Sequence, residues 1–247
     1  MRFVVLALVA SVFLLVAAKG GAAQSITFEL GEVGDGRTAS RIIQLSALVA
    51  LLSLAPSLLV MITAFARIVI VLSLLRAALG TQGTPPNTVL IGLALFLTFF
   101  VMQPVFDAAW TAGIQPMSEG QIDEIEGLRR AAEPFRSFMI ANLRAEDLAL
   151  FVDLADLPPP ESPQAAPWRV VVPAFLVGEL RRAFEIGFLL FVPFLIIDLV
   201  VASVLMSLGM MMLPPTVVSL PFKLIFFVLI DGWRLVSGSL AQSFVGT

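Results

Sequence analysis

The sequence contains no cysteine and no histidine, and only 13% of its residues are charged. Without thiols there are no disulfides, cysteine nucleophiles or cysteine-ligated zinc, and without imidazole the commonest acid–base side chain near neutral pH is missing. The formal net charge is −3 and no dense run of lysine and arginine occurs, so nucleic acid is not an expected partner. No cofactor, metal site or enzymatic activity is predicted.

Apolar side chains are in excess. Hydrophobic residues make up 59% of the chain and the mean hydropathy is +0.99, which is more than a soluble domain of this length can bury. Four apolar blocks are each long enough to cross a bilayer, which takes roughly 20 residues. They are residues 42–79, 88–110, 170–208 and 215–245. The composition therefore predicts an all-α membrane protein.

Residues 1–23 have the layout of a secretory signal peptide, with one early positive charge, an apolar run and small residues before a cleavage site. Because Lys19 lies inside the cleavage region, an uncleaved short anchor is the alternative. With a cleaved signal, residues 24–41 form a periplasmic segment of a bacterial inner-membrane protein. An even number of spans then places the polar insert, residues 111–169, on the periplasmic side as well.

The insert is predicted to be helical. Ser118 and Gln121 have the spacing of a capping box, and Ile125 belongs to the apolar periodic stretch that follows. Pro134 fits the first turn of a second helix. A stiff proline-rich linker, residues 158–167, leads back into the apolar part.

Two short segments share one pattern. Residues 79–86 read LGTQGTPP and residues 208–215 read LGMMMLPP, so Leu-Gly and Pro-Pro frame each turn between two apolar blocks. Glycine suits the left-handed position that ends a helix, and proline suits the start of the next helix. The sequence therefore predicts two related helical hairpins, residues 42–110 and 170–247. Their turn residues are Gly80, Pro85, Pro86, Gly209, Pro214 and Pro215.

The two turns differ in their central residues. The first contains residues that suit water, whereas the second contains Met210, Met211 and Met212. One explanation is that flexible thioether side chains fill an irregular gap in packing. The other is that several copies of the turn meet in a central lumen, where a ring of deformable apolar side chains excludes water and ions when closed.

Charged residues interrupt the apolar blocks, although an unpaired charge at the bilayer centre costs ~2.5–3.5 kcal/mol. Asp198 and Lys223 each lie about two to three helical turns from the methionines, so they are candidate partners within one chain or between neighbouring chains. Structural pairing is favoured over a proton relay. An intramembrane aspartyl protease using Asp198 and Asp231 is rejected, because Asp198 is followed by Leu-Val-Val and lacks the expected flanking glycine.

The stretches at residues 65–100 and 191–233 resemble the two signature regions of the FliP family, whose members are core subunits of the flagellar export gate. The resemblance implies a pentamer that assembles with FliQ and FliR into a helical, cone-shaped ring of strongly bent hairpins. This gate would lie in the flagellar basal body, as a multi-pass assembly of the bacterial inner membrane that projects toward the periplasm. Unfolded flagellar proteins would pass through its pore, with FlhA and FlhB as further partners.

The methionine-rich gasket of the family corresponds to Met210, Met211 and Met212. The resemblance also makes four charged residues candidates for ion pairs between subunits: Arg144, Glu179, Asp198 and Lys223. Two other interpretations stay open. One is a scaffold that nucleates basal-body assembly while other proteins conduct, and the other is an ion-coupled transporter that uses Asp198 and Lys223.

Overall fold

The computed structural model describes residues 60–81, 83–210 and 212–245, together with the isolated positions Ser46 and Ser53. The predicted signal peptide, residues 1–23, and the predicted periplasmic segment, residues 24–41, lie outside the described residues. So do Gln82 and Met211, one in the middle of each predicted turn.

The chain divides into two units, of which the second is Leu54–Thr247. The described residues form helices and no strand, which confirms the all-α prediction. From Phe65 onward, the described helices are α1 Phe65–Leu79, α2 Asn87–Ala109, a π-helical turn Trp110–Ile114, α3 Gln115–Ser118, α4 Glu124–Asn142, α5 Ala145–Leu154, a 3₁₀ turn Pro163–Ala165, α6 Trp168–Ser207, α7 Pro215–Leu229 and α8 Gly232–Val245.

Within the described ranges, two helical segments are long and apolar enough to cross a membrane. One is Asn87–Ser118, which runs from α2 through the π-helical turn to α3, and the other is α6. Helices α7 and α8 provide a third if the pair, bent by 63°, is counted as one span. At ~1.5 Å per residue the 40 residues of α6 extend about 60 Å, or about twice the ~30 Å hydrocarbon thickness. The protein is therefore membrane-associated, and α6 is longer than one hydrocarbon layer.

Helix α1 lies at the centre of the largest apolar core. Ile68, Val71 and Leu75 recur at helical spacing and are at most 1% exposed. Helix α1 makes its most extensive contact with α6, and it also contacts α2 and α7. Gly187 of α6 permits a close approach, because a Cβ there would lie 2.2 Å from Cδ1 of Leu74. Small residues allow this kind of packing between membrane helices, so α1 is held firmly against α6.

The predicted capping box of the insert is wrong. Ser118 Oγ donates to the carbonyl of Gln115 at 2.8 Å, and it caps no following helix. Helix α4 begins instead after Asp123, whose carboxylate accepts a hydrogen bond from the N–H of Glu126 at 3.0 Å. Aspartate is as good an N-cap as serine, and Asp123 directly precedes Glu124, the first helical residue.

Pro134 lies inside α4, so the prediction that it starts a second helix is also wrong. A proline in a helix interior removes one backbone hydrogen bond and costs about 3 kcal/mol. Helix α4 continues through it because it packs on both sides of the proline. Before it, Gly127 and Ala131 lie against Gly113 of the π-helical turn, and after it Met139 is buried in a second core with α5 and α6.

Candidate functional site

Both predicted turns begin with a glycine in the left-handed conformation. Gly80 at the end of α1 has φ +73°, and Gly209 at the end of α6 has φ +74°. After α6, the N–H groups of Gly209 and Met210 donate to the carbonyls of Met206 and Leu205 at 3.1 and 3.0 Å. This pair of bonds is a Schellman motif, which requires a residue that tolerates positive φ. Both turns thus end their first helix with a glycine in the left-handed conformation.

The proline pairs stand where the next helices start. Pro86 precedes the first residue of α2, Pro214 precedes the first residue of α7, and Pro215 is that first residue. Proline is favoured there because the first helical N–H groups have no intrahelical partner. The helices on the two sides of each turn contact one another.

The first turn, residues 79–86, is held by hydrogen bonds from side chains. Arg76 Nη1 donates to Oδ1 of Asn87 at 2.6 Å and to the carbonyl of Pro85 at 3.3 Å. The hydroxyl of Thr81 donates to the carbonyl of Thr84. These contacts join the end of α1 to the start of α2 across the turn.

The methionine turn, residues 208–215, has no such support. Met212 is 98% exposed, and Met210 and Leu213 are 42% and 44% exposed. Among the described residues of this turn, the hydrogen bonds are backbone bonds alone. Met211 lies outside the described residues, so its part in a gasket stays a prediction. In a single chain this turn is an exposed apolar tip.

Behind the two turns, Lys223 of α7 joins three helices. Its ammonium lies 2.6 Å from Oδ2 of Asp198 in α6 and donates to the carbonyl of Ala78 in α1 at 3.1 Å. The hydroxyl of Ser219 donates to Oδ1 of Asp198. Lys223 is only 5% exposed. The structure therefore pairs Asp198 and Lys223 within one chain.

Glu179 pairs with Arg67, and theirs is the most completely buried ion pair among the described residues. Arg67 Nε donates to Oε2 of Glu179 at 2.8 Å and Nη2 donates to Oε1. Arg67 Nη1 donates to the carbonyl and hydroxyl oxygens of Ser243 at 3.1 and 3.0 Å, and the guanidinium carbon lies 3.7 Å from the ring centroid of Phe244. A buried guanidinium needs several acceptors, and the end of α8 supplies two of them.

The sequence predicts an ion pair for Glu179, but it does not identify Arg67, Ser243 or Phe244 as members of this cluster. One signal in the sequence points to α8 as a docked helix. Val236, Leu240 and Phe244 recur at a spacing of four and are all buried. That stripe identifies the packed face of α8 but does not identify its partner.

Arg144, the fourth predicted charge, is half-buried at the surface of the insert. Its guanidinium lies 3.4 Å from Oε2 of Glu146, which is also 3.9 Å from Nη1 of Arg181. In the single chain, each of the four predicted charges thus has a partner of its own chain: Arg144, Glu179, Asp198 and Lys223. Ion pairing between subunits stays a prediction for these residues.

Several helices expose large apolar faces. Helix α2 presents Phe96, Phe99 and Phe100, of which Phe96 is 80% exposed. Helices α6 and α7 enclose an open apolar groove of about 560 Å³, which we call the α6–α7 groove, lined by Ile196, Ile197, Val200, Val201, Val204, Leu205, Val218, Phe222 and Phe226. Apolar faces of this extent contact lipid or other chains rather than water.

Among the residues that the structure describes, no group of three or more acidic side chains is placed to hold a metal ion.

Comparisons with known proteins agree with these features. The model of the FliP family matches residues 48–240. The flagellar biosynthetic protein FliP of Caulobacter vibrioides is 54% identical over 98% of this chain and 91% of its own length. The proteins of the same name from Agrobacterium fabrum and Bacillus subtilis are 53% and 51% identical, each over 85% of this chain and over 86% and 95% of their own lengths. The chain therefore belongs to the FliP family, as the sequence resemblance predicts.

Proposed function

We propose that this protein is a core subunit of the flagellar type III protein export gate and that its methionine turn seals the export pore. Membership of a family whose named members are flagellar biosynthetic proteins supports the flagellar role. The observation that carries the sealing role is the exposure of Met212, which is 98% in the single chain. Together with the exposed Met210 and Leu213 it forms an apolar patch at the tip of a capped turn, and such a patch marks a surface that contacts lipid or another chain.

The chemistry of the turn fits a seal that must open for a wide object. When several copies place their turns on a common axis, the thioether side chains form an apolar constriction that water and ions leave. Methionine is unbranched and flexible, so the same ring deforms around an unfolded polypeptide and closes behind it. The first turn, with its threonines and its arginine contacts, lacks both properties.

The assembly that this function requires is a ring of bent hairpins. In the proposed arrangement α1 with α2 and α6 with α7 are the arms of two related hairpins, and the insert faces the periplasm. The exposed apolar faces of α2 and of the α6–α7 groove are available for contacts with further copies, with FliQ and FliR, and with lipid. FlhA and FlhB are the expected partners on the route of the unfolded flagellar substrates, and a pentamer is the expected copy number.

Replacing Met210, Met211 and Met212 together by alanine tests the seal. The shorter side chains leave the constriction wider and wetter, so ion leak through membranes that contain the assembled gate should rise. A graft of the first turn, M210T, M211Q, M212G and L213T, should leak more, because it places polar groups in the pore. Met61→Ala, an exposed methionine outside both turns, is the matched control. Membranes as tight as the control, with normal amounts of assembled gate, would contradict the proposal.

A scaffold that supports conduction by other proteins is the alternative function. A single cysteine at position 212 separates the two, because the chain contains no other cysteine. A conduit predicts that a stalled export substrate forms a cross-link to this position. A scaffold predicts substrate cross-links to other proteins of the basal body only.

A further inference from the structure

The two turns are joined by one polar cluster. Lys223 reaches the carbonyl of Ala78, which lies two residues before Gly80, and a Cβ at Gly80 would lie 3.9 Å from the Lys223 ammonium. The ammonium is therefore placed beside the first turn, although Lys223 belongs to the helix that leaves the methionine turn.

The same cluster binds the helix that enters the methionine turn. Asp198 of α6 accepts hydrogen bonds from both Lys223 and Ser219, so each of its carboxylate oxygens has a donor. Asp198 is ten residues before Leu208, and Lys223 is eight residues after Pro215. At ~1.5 Å per residue, the cluster lies about 12–15 Å below the tip of the methionine turn.

At the tip itself, the described residues are held by backbone hydrogen bonds. The described residues of the methionine turn make no hydrogen bond through a side chain, whereas the first turn is held by Arg76 of α1 and by its own Thr81. The α6–α7 groove is open along the two helices that carry the tip, so apolar packing between them is incomplete on that side. A buried ion pair with further hydrogen bonds is directional, whereas apolar contacts permit sliding.

We propose that Asp198, Ser219, Lys223 and the carbonyl of Ala78 form a polar latch that fixes the methionine turn relative to the first turn. Lys223 is the positioning residue of this latch, because it alone among these four touches both α1 and α6. The inference deepens the proposed function, on which it rests. In this arrangement the first turn sets the position of the methionine turn, and therefore the position of the seal. A displacement of the first turn by a partner or a substrate then moves the methionine turn.

The spread of the distance between the two turns tests the latch. Spin labels are attached to cysteines at Thr88, which is exposed at the start of α2, and at Met212, in a chain with no other cysteine. Labelled chains are diluted among unlabelled copies in the assembled gate, so that pulsed electron paramagnetic resonance reports distances within one chain. Lys223→Met keeps the apolar stem and removes the ammonium, and we expect the width of the distance distribution to increase about twofold as further arrangements become populated.

Three more variants separate the latch from general packing. Ser219→Ala removes one hydrogen bond and should broaden the distribution less than Lys223→Met. Lys223→Arg keeps a cation with donors and should restore a narrow distribution. Glu185→Gln, which breaks the exposed pair with Arg181 on the same helix as Asp198, should change nothing.

An unchanged width in Lys223→Met and Ser219→Ala overturns the latch. If Lys223→Met fails to assemble, an unchanged width in Ser219→Ala alone is sufficient to overturn it. The failure of the seal is recognised separately, because ion leak in the methionine variants does not depend on the distance between the turns.

Discussion

The two turns share a left-handed glycine that ends their first helix, and they differ in how they are held. Gly80 and Gly209 have nearly the same positive φ, and a proline stands at the start of the helix that follows each turn. After the glycine, the first turn is fixed by hydrogen bonds from Arg76 and Thr81, whereas the methionine turn presents apolar side chains to its surroundings. The repeated glycine and proline pattern therefore specifies where the chain reverses direction. The residues between the glycine and the prolines specify which surroundings the turn contacts.

The largest effect is expected where the first hairpin is anchored. Glu179→Gln removes the charge that compensates Arg67 in an environment where both side chains are at most 1% exposed. Removing one partner of a buried pair costs about 3–5 kcal/mol, because the other charge remains buried. Thermal unfolding of the purified protein should show a large loss of stability. Glu185→Gln, which breaks an exposed ion pair, is the control. Equal thermal unfolding midpoints in the two variants would show that the pair of Arg67 and Glu179 does not stabilise the packing of α1.

Alanine at each of the two helix-ending glycines tests whether these two positions are equivalent. Gly80→Ala and Gly209→Ala both place a Cβ at positive φ, which costs roughly 1–2 kcal/mol in each case. A Cβ at Gly80 meets its nearest neighbour at 3.9 Å, and a Cβ at Gly209 meets none within 4 Å, so no steric clash adds to either. Unfolding experiments should give similar losses. A loss confined to one variant would show that the turns are not equivalent.

A second pair of substitutions measures how much the side chains at each turn contribute to the stability of the chain. Arg76→Ala removes two hydrogen bonds from the first turn and should cost about 1 kcal/mol. Met212→Ala should leave the stability of the single chain unchanged, because its side chain is almost fully exposed. Denaturant titration measures the free energy of unfolding of the two variants. A clear loss in Met212→Ala would mean that the methionine turn is packed in the chain itself.

The glycine and proline framework of both turns could be predicted from the sequence, because it depends on residues within eight positions of one another. The pair of Asp198 and Lys223 could be proposed for a similar reason, since both lie at comparable distances from one turn. Arg67 and its partners could not, because they are 112 and 176 residues away along the chain. Pro134 misled the prediction because contacts of α4 with other helices outweigh a local preference.

The smallest effect concerns an exposed polar contact in the insert. Hydrogen bonds from Arg129 and Arg130 lower the pKa of Glu126 from 4.5 to about 2. A carboxyl whose pKa is lower in the folded protein stabilises it above pH 4.5, and this contribution is lost as the pH falls toward 2. Glu126→Gln removes this titrating group, so the stability of the variant should fall slightly less steeply between pH 4.5 and 2 than that of the unmodified protein. A steep acid transition that is identical in Glu126→Gln would assign the pH dependence to other groups.

Oxidative cross-linking of Met212→Cys in the assembled gate measures whether the methionine turns of different subunits meet. The chain has no cysteine of its own, and a disulfide requires Cα atoms within about 7 Å, so the reaction reports only turns that meet. If the methionine turns converge on a common axis, oxidation should produce dimers linked through position 212 that disappear on reduction. Fully assembled gates whose subunits stay monomeric after oxidation would contradict the claim that these turns plug the pore.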